Sequence, residues 1–139
     1  MRKIVLASHG SFSKGLLDSV HMVLGDSVKN VVTYSLNVGE SATDYATELE
    51  AEIIENADAE YILIADLFGA SVCSALMPLT LYENVKLFTG MSFIMVIELL
   101  MGYEYPLTES DIEKLIEDSR KGIRNVNISD EKEAEVEDF

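Results

Sequence analysis

The chain has 139 residues, 10 of them basic and 25 acidic, giving a net charge of −15 and a size suited to one ordinary domain. No clustered Lys and Arg are visible to meet a nucleic-acid backbone or anionic lipid, so neither a nucleic-acid partner nor direct membrane insertion is expected. The lone Cys73 cannot form an internal disulfide, the N-terminal apolar run is too short for a signal sequence, and the stretch Phe93 to Met101 is interrupted by Glu98 and too short to span a bilayer; together these predict a cytoplasmic protein.

Strand and helix patterns alternate along the chain. Lys3 to Ala7 reads as a buried strand, broken by Gly10, Ser11 and Ser13. Leu16, Leu17, Val20, Val23 and Leu24 then recur at helical spacing, and Gly25-Asp26 closes that helix. Val31 to Leu36 is β-branched and aromatic, a second strand. Ser41 with Asp44 three residues on predicts a capped helix to about Asn56, with Tyr45, Leu49, Ile53 and Ile54 inward. Tyr61 to Ala65 is five consecutive apolar residues, too few for a helix and therefore a strand; it ends in Asp66-Leu67-Phe68-Gly69. A helix from about Ser71 to Leu81 contains Pro78, so it ends near Met77 or kinks there.

Val85 to Phe88 is a fourth strand, ended by Thr89-Gly90. Ser92 to Met101 is an almost wholly apolar helix, expected to be buried on most sides. Ser110, with Glu113 third after it, predicts the cap of a last helix to about Gly122. Ile123 to Ile128 alternates in part and could form a short edge strand. Asp130 to Asp138 holds six acids and one lysine, so residues 129–139 read as an acidic, disordered tail after a domain of residues 1–128. Strands alternating with helices, the strands themselves continuous apolar runs, predict one α/β domain: a doubly wound parallel sheet with helices on both faces.

In such sheets ligands bind beyond the carboxyl ends of the strands, where the winding reverses. For the order 2-1-3-4 this lies between strands 1 and 3. Ser8, His9, Gly10 and Ser11 follow the first; Asp66, Leu67, Phe68 and Gly69 follow the third. A histidine and an aspartate therefore face each other. Gly10 and Gly69 permit close backbone approach, and helix N-termini near Ser13 and Ser71 favour an anion. This set suits phosphohistidine chemistry, in which a carboxylate fixes the imidazole tautomer and the other ring nitrogen takes a phosphoryl group without a metal or cofactor. Spacing alone also fits a histidine that is merely a hydrogen-bonded loop residue.

Ile4-Val5-Leu6-Ala7-Ser8-His9-Gly10, then Gly15-Leu16-Leu17 and Leu24-Gly25, resembles the N-terminus of the mannose/fructose/sorbose-family enzyme IIA proteins of the bacterial phosphoenolpyruvate-dependent sugar phosphotransferase system. Asp66 to Ser71 resembles that family's D-x-x-G-G-S-P segment, and Thr89-Gly90-Met91-Ser92 through Met95 and Glu98 its G-V-N-L-P-M-x-x-E segment. The resemblance spans roughly Met1 to Val126. It implies that His9 is phosphorylated, that Asp66 bonds the imidazole, and that Ser71 stands beside the phosphate with Gly10 and Gly69. It also implies a homodimer with sheet order 2-1-3-4, in which an antiparallel edge strand, here Ile123 to Ile128, is exchanged.

By the same resemblance the phosphocarrier HPr would supply phosphate, and a IIB component, expected as a separate protein, would receive it. The IIB component would then phosphorylate sugar arriving through a IIC/IID membrane permease. Ala70, Val72, Ser92 and Ile94 depart from the family pattern. An Ala70 methyl would obstruct the site if that residue needed a positive φ.

The remaining polar and sulfur residues read as structural. His21 has no second ligand at metal spacing and Cys73 suits a small buried position. Met91, Met95 and Met101 suit core or dimer packing, with a docking surface for HPr as the lesser alternative. Tyr103 and Tyr105 have no interpretable partner. Three rivals fit less well. A receiver module lacks its acidic residues after strand 1, and a histidine phosphatase lacks its Arg-His-Gly and second histidine. A flavodoxin-like binding module lacks flanking aromatics. A phosphohistidine donor subunit of dihydroxyacetone kinase is closer, but the Asp66 segment and the Thr89-Gly90 helix favour the sugar-transport branch.

Overall fold

The computed structural model describes residues 1–131. Four strands, β1 (Arg2–His9), β2 (Val31–Leu36), β3 (Glu60–Ala65) and β4 (Val85–Thr89), form one sheet of order β2-β1-β3-β4. All three pairings are parallel, with Ala7 opposite Tyr34 on one side and Ala65 on the other. The predicted winding is thus realised, and the carboxyl ends of all four strands share one rim.

Among the described residues five α-helices connect and cover the strands: α1 (Phe12–Leu24), α2 (Ala42–Glu55), α3 (Ser71–Leu76), α4 (Phe93–Gly102) and α5 (Glu109–Arg120). Because side chains alternate along a strand, Val5, Ala7, Tyr61, Leu63 and Ala65 face α2 and α3, whereas Ile4, Leu6, Ile62 and Ile64 face α1, α4 and α5. The central strands are dry on both faces, which is why they read as unbroken apolar runs. Each such fully buried aliphatic side chain contributes about 1.5–3 kcal/mol.

Pro78 divides the connection from β3 to β4 as expected: α3 stops at Leu76, and Met77–Leu81 continues as a 3₁₀ turn. Elsewhere the local geometry departs from the sequence reading. Ser41 precedes α2 but its side chain makes no cap; the Asp44 amide bonds the Ser41 backbone carbonyl at 3.2 Å instead. The inward stripe of α2 is Ala42, Ala46, Leu49 and Ile53, so Ile54 points to solvent. Tyr45 is only half-buried and stacks on Tyr34 of β2, with ring centroids 4.0 Å apart.

The last helix is capped by Thr108 with Asp111, both halves of the capping box at 3.0 Å, and not by Ser110 with Glu113. The earlier start follows from Leu107. It is buried beside Ile112, the pairing of a hydrophobic staple, and its amide donates to Glu60 Oε2 at 2.8 Å. Glu60 also accepts from Arg2 Nε at 2.7 Å, while the Arg2 Nη atoms donate to the Tyr103 and Glu104 carbonyls. This clasp closes the sheet's lower end.

Helix α4 buries Met95, Val96 and Leu99 but leaves Phe93, Ile94 and Met101 facing outward, so it is less enclosed than its composition suggests. Glu98 of α4 has a raised pKa because burial disfavours its charge and Asp118 of α5 repels it; Lys114 opposes both. Its Oε2 is buried without a hydrogen-bond partner among the described residues. A carboxyl with a raised native pKa costs stability as pH climbs through that window, because only the folded state resists ionisation. Glu98→Gln is therefore expected to raise Tm by about 2–5 °C near neutral pH, with no gain at about pH 3.5, where both states are protonated. Thermal melts at the two pH values check this; equal Tm for both chains at neutral pH would contradict it.

No fifth strand is formed among the described residues. Residues 123–127 lie outside the ladder, and Ile123, Val126 and Ile128 are exposed. Ile128–Asp130 makes one 3₁₀ turn capped by Asn127. The rest of the expected acidic tail, from residue 132 onward, lies outside the described residues. Among the described residues no helix is long and apolar enough to cross a membrane.

Candidate functional site

His9 is the last residue of β1, and Asp66 is the first residue beyond β3. As β1 and β3 are adjacent and parallel, the two side chains meet at the rim. His9 Nδ1 lies 2.8 Å from Asp66 Oδ2, and the same oxygen accepts the His9 backbone N–H at 2.8 Å. The carboxylate thus holds the ring from two points of one residue. Burial acts to raise the Asp66 pKa, but the His9 amide, the His9 ring and its charge outweigh it and lower the carboxyl below its ordinary value. Asp66 therefore stays ionised and accepts, which fixes the proton of neutral His9 on Nδ1 and leaves the Nε2 lone pair outward.

Ser71 is the first residue of α3, and its hydroxyl lies 3.3 Å from Nε2. The imidazole side chain is 49% exposed and the carboxylate 11%. One ring nitrogen is thus held in the wall while the other faces the approach. The first amides of α3 have no intrahelical acceptors.

A buried hydroxyl pair braces the loop from below. Ser8 and Ser13 are fully buried; Ser8 Oγ accepts the Ser13 amide at 2.8 Å and donates to the Gly10 carbonyl at 3.3 Å. Ser13 Oγ donates to the Tyr34 carbonyl of β2 at 3.0 Å. In the sequence Ser13 reads only as a strand breaker near a helix start, and Ser8 only as a residue following the first strand. Their spacing across a strand end and the first turn of a helix was the signal for this brace.

His9, Asp66 and Ser71 are therefore brought together as expected. Gly10 serves differently. Its φ of +54° turns the chain, and its amide is committed to the Leu36 carbonyl at 2.8 Å, so that N–H does not point at the site. Gly69, at φ +81°, makes the turn that aims Ser71. Ala70 sits at φ −84°, an ordinary conformation for an L-residue, so its methyl obstructs nothing by strain. Val72 is simply buried. Ser92 caps α4 by accepting the Met95 amide, a task that either Ser or Asn can perform.

The other singled-out residues lie elsewhere. Cys73, Met91 and Met95 are core; His21 and Met101 are exposed. Tyr105 Oη donates to the Asp58 carbonyl, and Tyr103 offers its carbonyl to Arg2. No group of three or more His, Cys, Asp and Glu among the described residues is arranged to hold a metal ion.

Comparison with known proteins agrees with this architecture. The family profile described as the PTS system fructose IIA component matches residues 3–116. The sorbose-specific EIIA component of the PTS system from Klebsiella pneumoniae is 30% identical over 109 residues, covering 78% of each chain. Among solved structures, the phosphotransferase system component EIIA from Streptococcus agalactiae is similar with a TM-score of 0.78 at 26% identity, over 90% of this chain and 97% of that one. The PTS IIA protein associated with the fucose utilization operon of Streptococcus pneumoniae gives a TM-score of 0.75 at 26% identity, over 89% and 92%.

Proposed function

Given that the chain belongs to the mannose/fructose/sorbose-type enzyme IIA family of the sugar phosphotransferase system, we propose that it is a cytoplasmic phosphoryl carrier that accepts phosphate on His9 from HPr and passes it to a separate IIB component. The IIB component then phosphorylates sugar delivered by a IIC/IID permease. One observation carries the reading: Nδ1 is held by Asp66 at 2.8 Å while Nε2 is left open beside Ser71.

In the forward step the Nε2 lone pair attacks phosphorus in line as the P–N bond to the HPr histidine breaks. The transition state is loose and metaphosphate-like. The product ring keeps its Nδ1 proton and carries positive charge, which the ionised Asp66 balances; the donor ring returns to neutral, so no proton changes hands. The Ser71 hydroxyl turns from Nε2 to a phosphoryl oxygen. The return step to IIB runs the same path backward.

The test is to combine the chain with phosphoenolpyruvate, enzyme I and HPr. An acid-labile, base-stable phosphate on the chain is expected; none after HPr itself is labelled would refute the reading.

The same reading includes a homodimer. Among the described residues the outer edge of β4 is unpaired, and a groove beside it is lined by Leu87, Phe88, Met95, Ile116 and Ile123. The exposed segment Ile123 to Ile128 of a second copy would complete the sheet there as an antiparallel strand. Deleting the chain from Ile123 onward should convert dimer to monomer in sedimentation; a truncation that stays fully dimeric would remove the exchanged strand from the account.

A further inference from the structure

Before any phosphate arrives, Asp66, His9 and Ser71 form a chain of hydrogen bonds with a chemistry of its own. The carboxylate holds Nδ1 at 2.8 Å, and the Ser71 hydroxyl lies 3.3 Å from Nε2. With Asp66 ionised and the ring proton on Nδ1, Nε2 accepts and the Ser71 hydroxyl donates. Acid, imidazole and hydroxyl thus stand as in a nucleophilic triad: a hydroxyl within reach of a base, and the base oriented by a third group. The acid is enclosed, with 11% of its side chain exposed, whereas the ring is half-exposed and Ser71 is open to solvent. Acyl transfer needs this order, with the charge steadied in the wall and the nucleophile at the approach.

We propose that the chain with His9 unphosphorylated is also a slow serine esterase, in which Ser71 takes the acyl group of a neutral activated ester, His9 is the general base and Asp66 supports the imidazolium. Ser71 Oγ attacks the ester carbonyl carbon as its proton passes to Nε2. The bond from that carbon to the leaving oxygen then breaks, and Nε2 gives the proton to that oxygen. Water attacks the acyl-serine carbon in turn, its proton passing to Nε2. The bond to Ser71 breaks, Oγ regains a proton, and a carboxylic acid leaves. The Gly10 amide is committed to the Leu36 carbonyl and cannot hold a developing oxyanion, so the substrate must be one whose leaving group departs readily, such as an aryl ester. The net charge of −15 and the ionised Asp66 disfavour an anionic ester. The activity belongs to the free ring: once phosphorylated, Nε2 can accept no proton.

The test mixes the full unphosphorylated chain with p-nitrophenyl acetate at neutral pH and follows release of p-nitrophenolate. Ser71→Ala and His9→Ala should each lower the rate by about 30-fold or more, as loss of a nucleophile or of its base does. His21→Ala removes the other imidazole, exposed on α1, and should leave the rate within about twofold. Mass spectrometry after acid quenching should find acetyl on Ser71 of the parent. Release that survives Ser71→Ala would mean that the His9 ring attacks the ester itself, and would overturn the proposal. So would acetyl found only on other residues, or a parent rate no higher than that of His9→Ala. Loading His9 from phosphorylated HPr should remove the activity in proportion to the phosphate bound. A parent that releases p-nitrophenolate through Ser71 but takes no phosphate from HPr would refute the carrier reading and leave the esterase standing.

Discussion

His9→Ala is expected to abolish phosphoryl incorporation from phosphorylated HPr, a fall of at least about 10⁴-fold, because no other group stands where Nε2 does. The fold should survive. The side chain is half-exposed, and the backbone N–H that anchors this residue to Asp66 remains after truncation. Tm should shift by no more than about 2 °C, as for a surface substitution. Radiolabelled phosphate followed on both proteins checks the outcome. Label that still reaches the variant would mean another acceptor, and the exposed His21 of α1 would be the first to examine.

Asp66→Asn should slow transfer by about 10²–10⁴-fold while leaving the ring in place. The amide oxygen of Asn can accept both the His9 backbone N–H and Nδ1–H, so position is kept. What is lost is the negative charge opposite an imidazole that turns cationic as it takes phosphorus. The carboxyl pKa is lowered, with burial opposing and the His9 amide, ring and charge prevailing. The sign is that of a depressed acid: its contribution is complete above the unfolded Asp value and disappears as pH falls through the lower folded one. The stability difference between parent and variant should therefore be widest near neutral pH and close in strong acid. Single-turnover rates and pH-dependent melts measure the two effects; unchanged kinetics would take Asp66 out of the mechanism.

Much of this site was legible in the residues because its placement depends on the least ambiguous elements. Tyr61 to Ala65 and Ile4 to Ala7 are apolar without interruption, and adjacent parallel strands carry whatever follows them to one rim, so for the order 2-1-3-4 His9 and Asp66 meet. What escaped was decided by neighbours that sequence spacing does not contain. Ser41 and Thr108 both precede an Asp three residues on, yet only Thr108 caps, because Leu107 is pinned by packing and by Glu60. Ile54 lies one residue from the fully buried Ile53, and that 100° rotation turns it from core to solvent. The Gly10 amide looked available for an anion until β2 supplied the Leu36 carbonyl. Which imidazole nitrogen is free, and which loop apolar groups are bare, are likewise facts of three dimensions.

The Arg2 clasp has a practical corollary. Met1 offers its carbonyl to the Glu60 amide at the lower end of the sheet, and β1 then runs eight residues, about 25 Å, before it delivers His9. A purification handle or surface tether attached at the amino terminus thus emerges at the pole away from the reactive nitrogen. A chip or bead loaded that way would present every imidazole to the flowing solution.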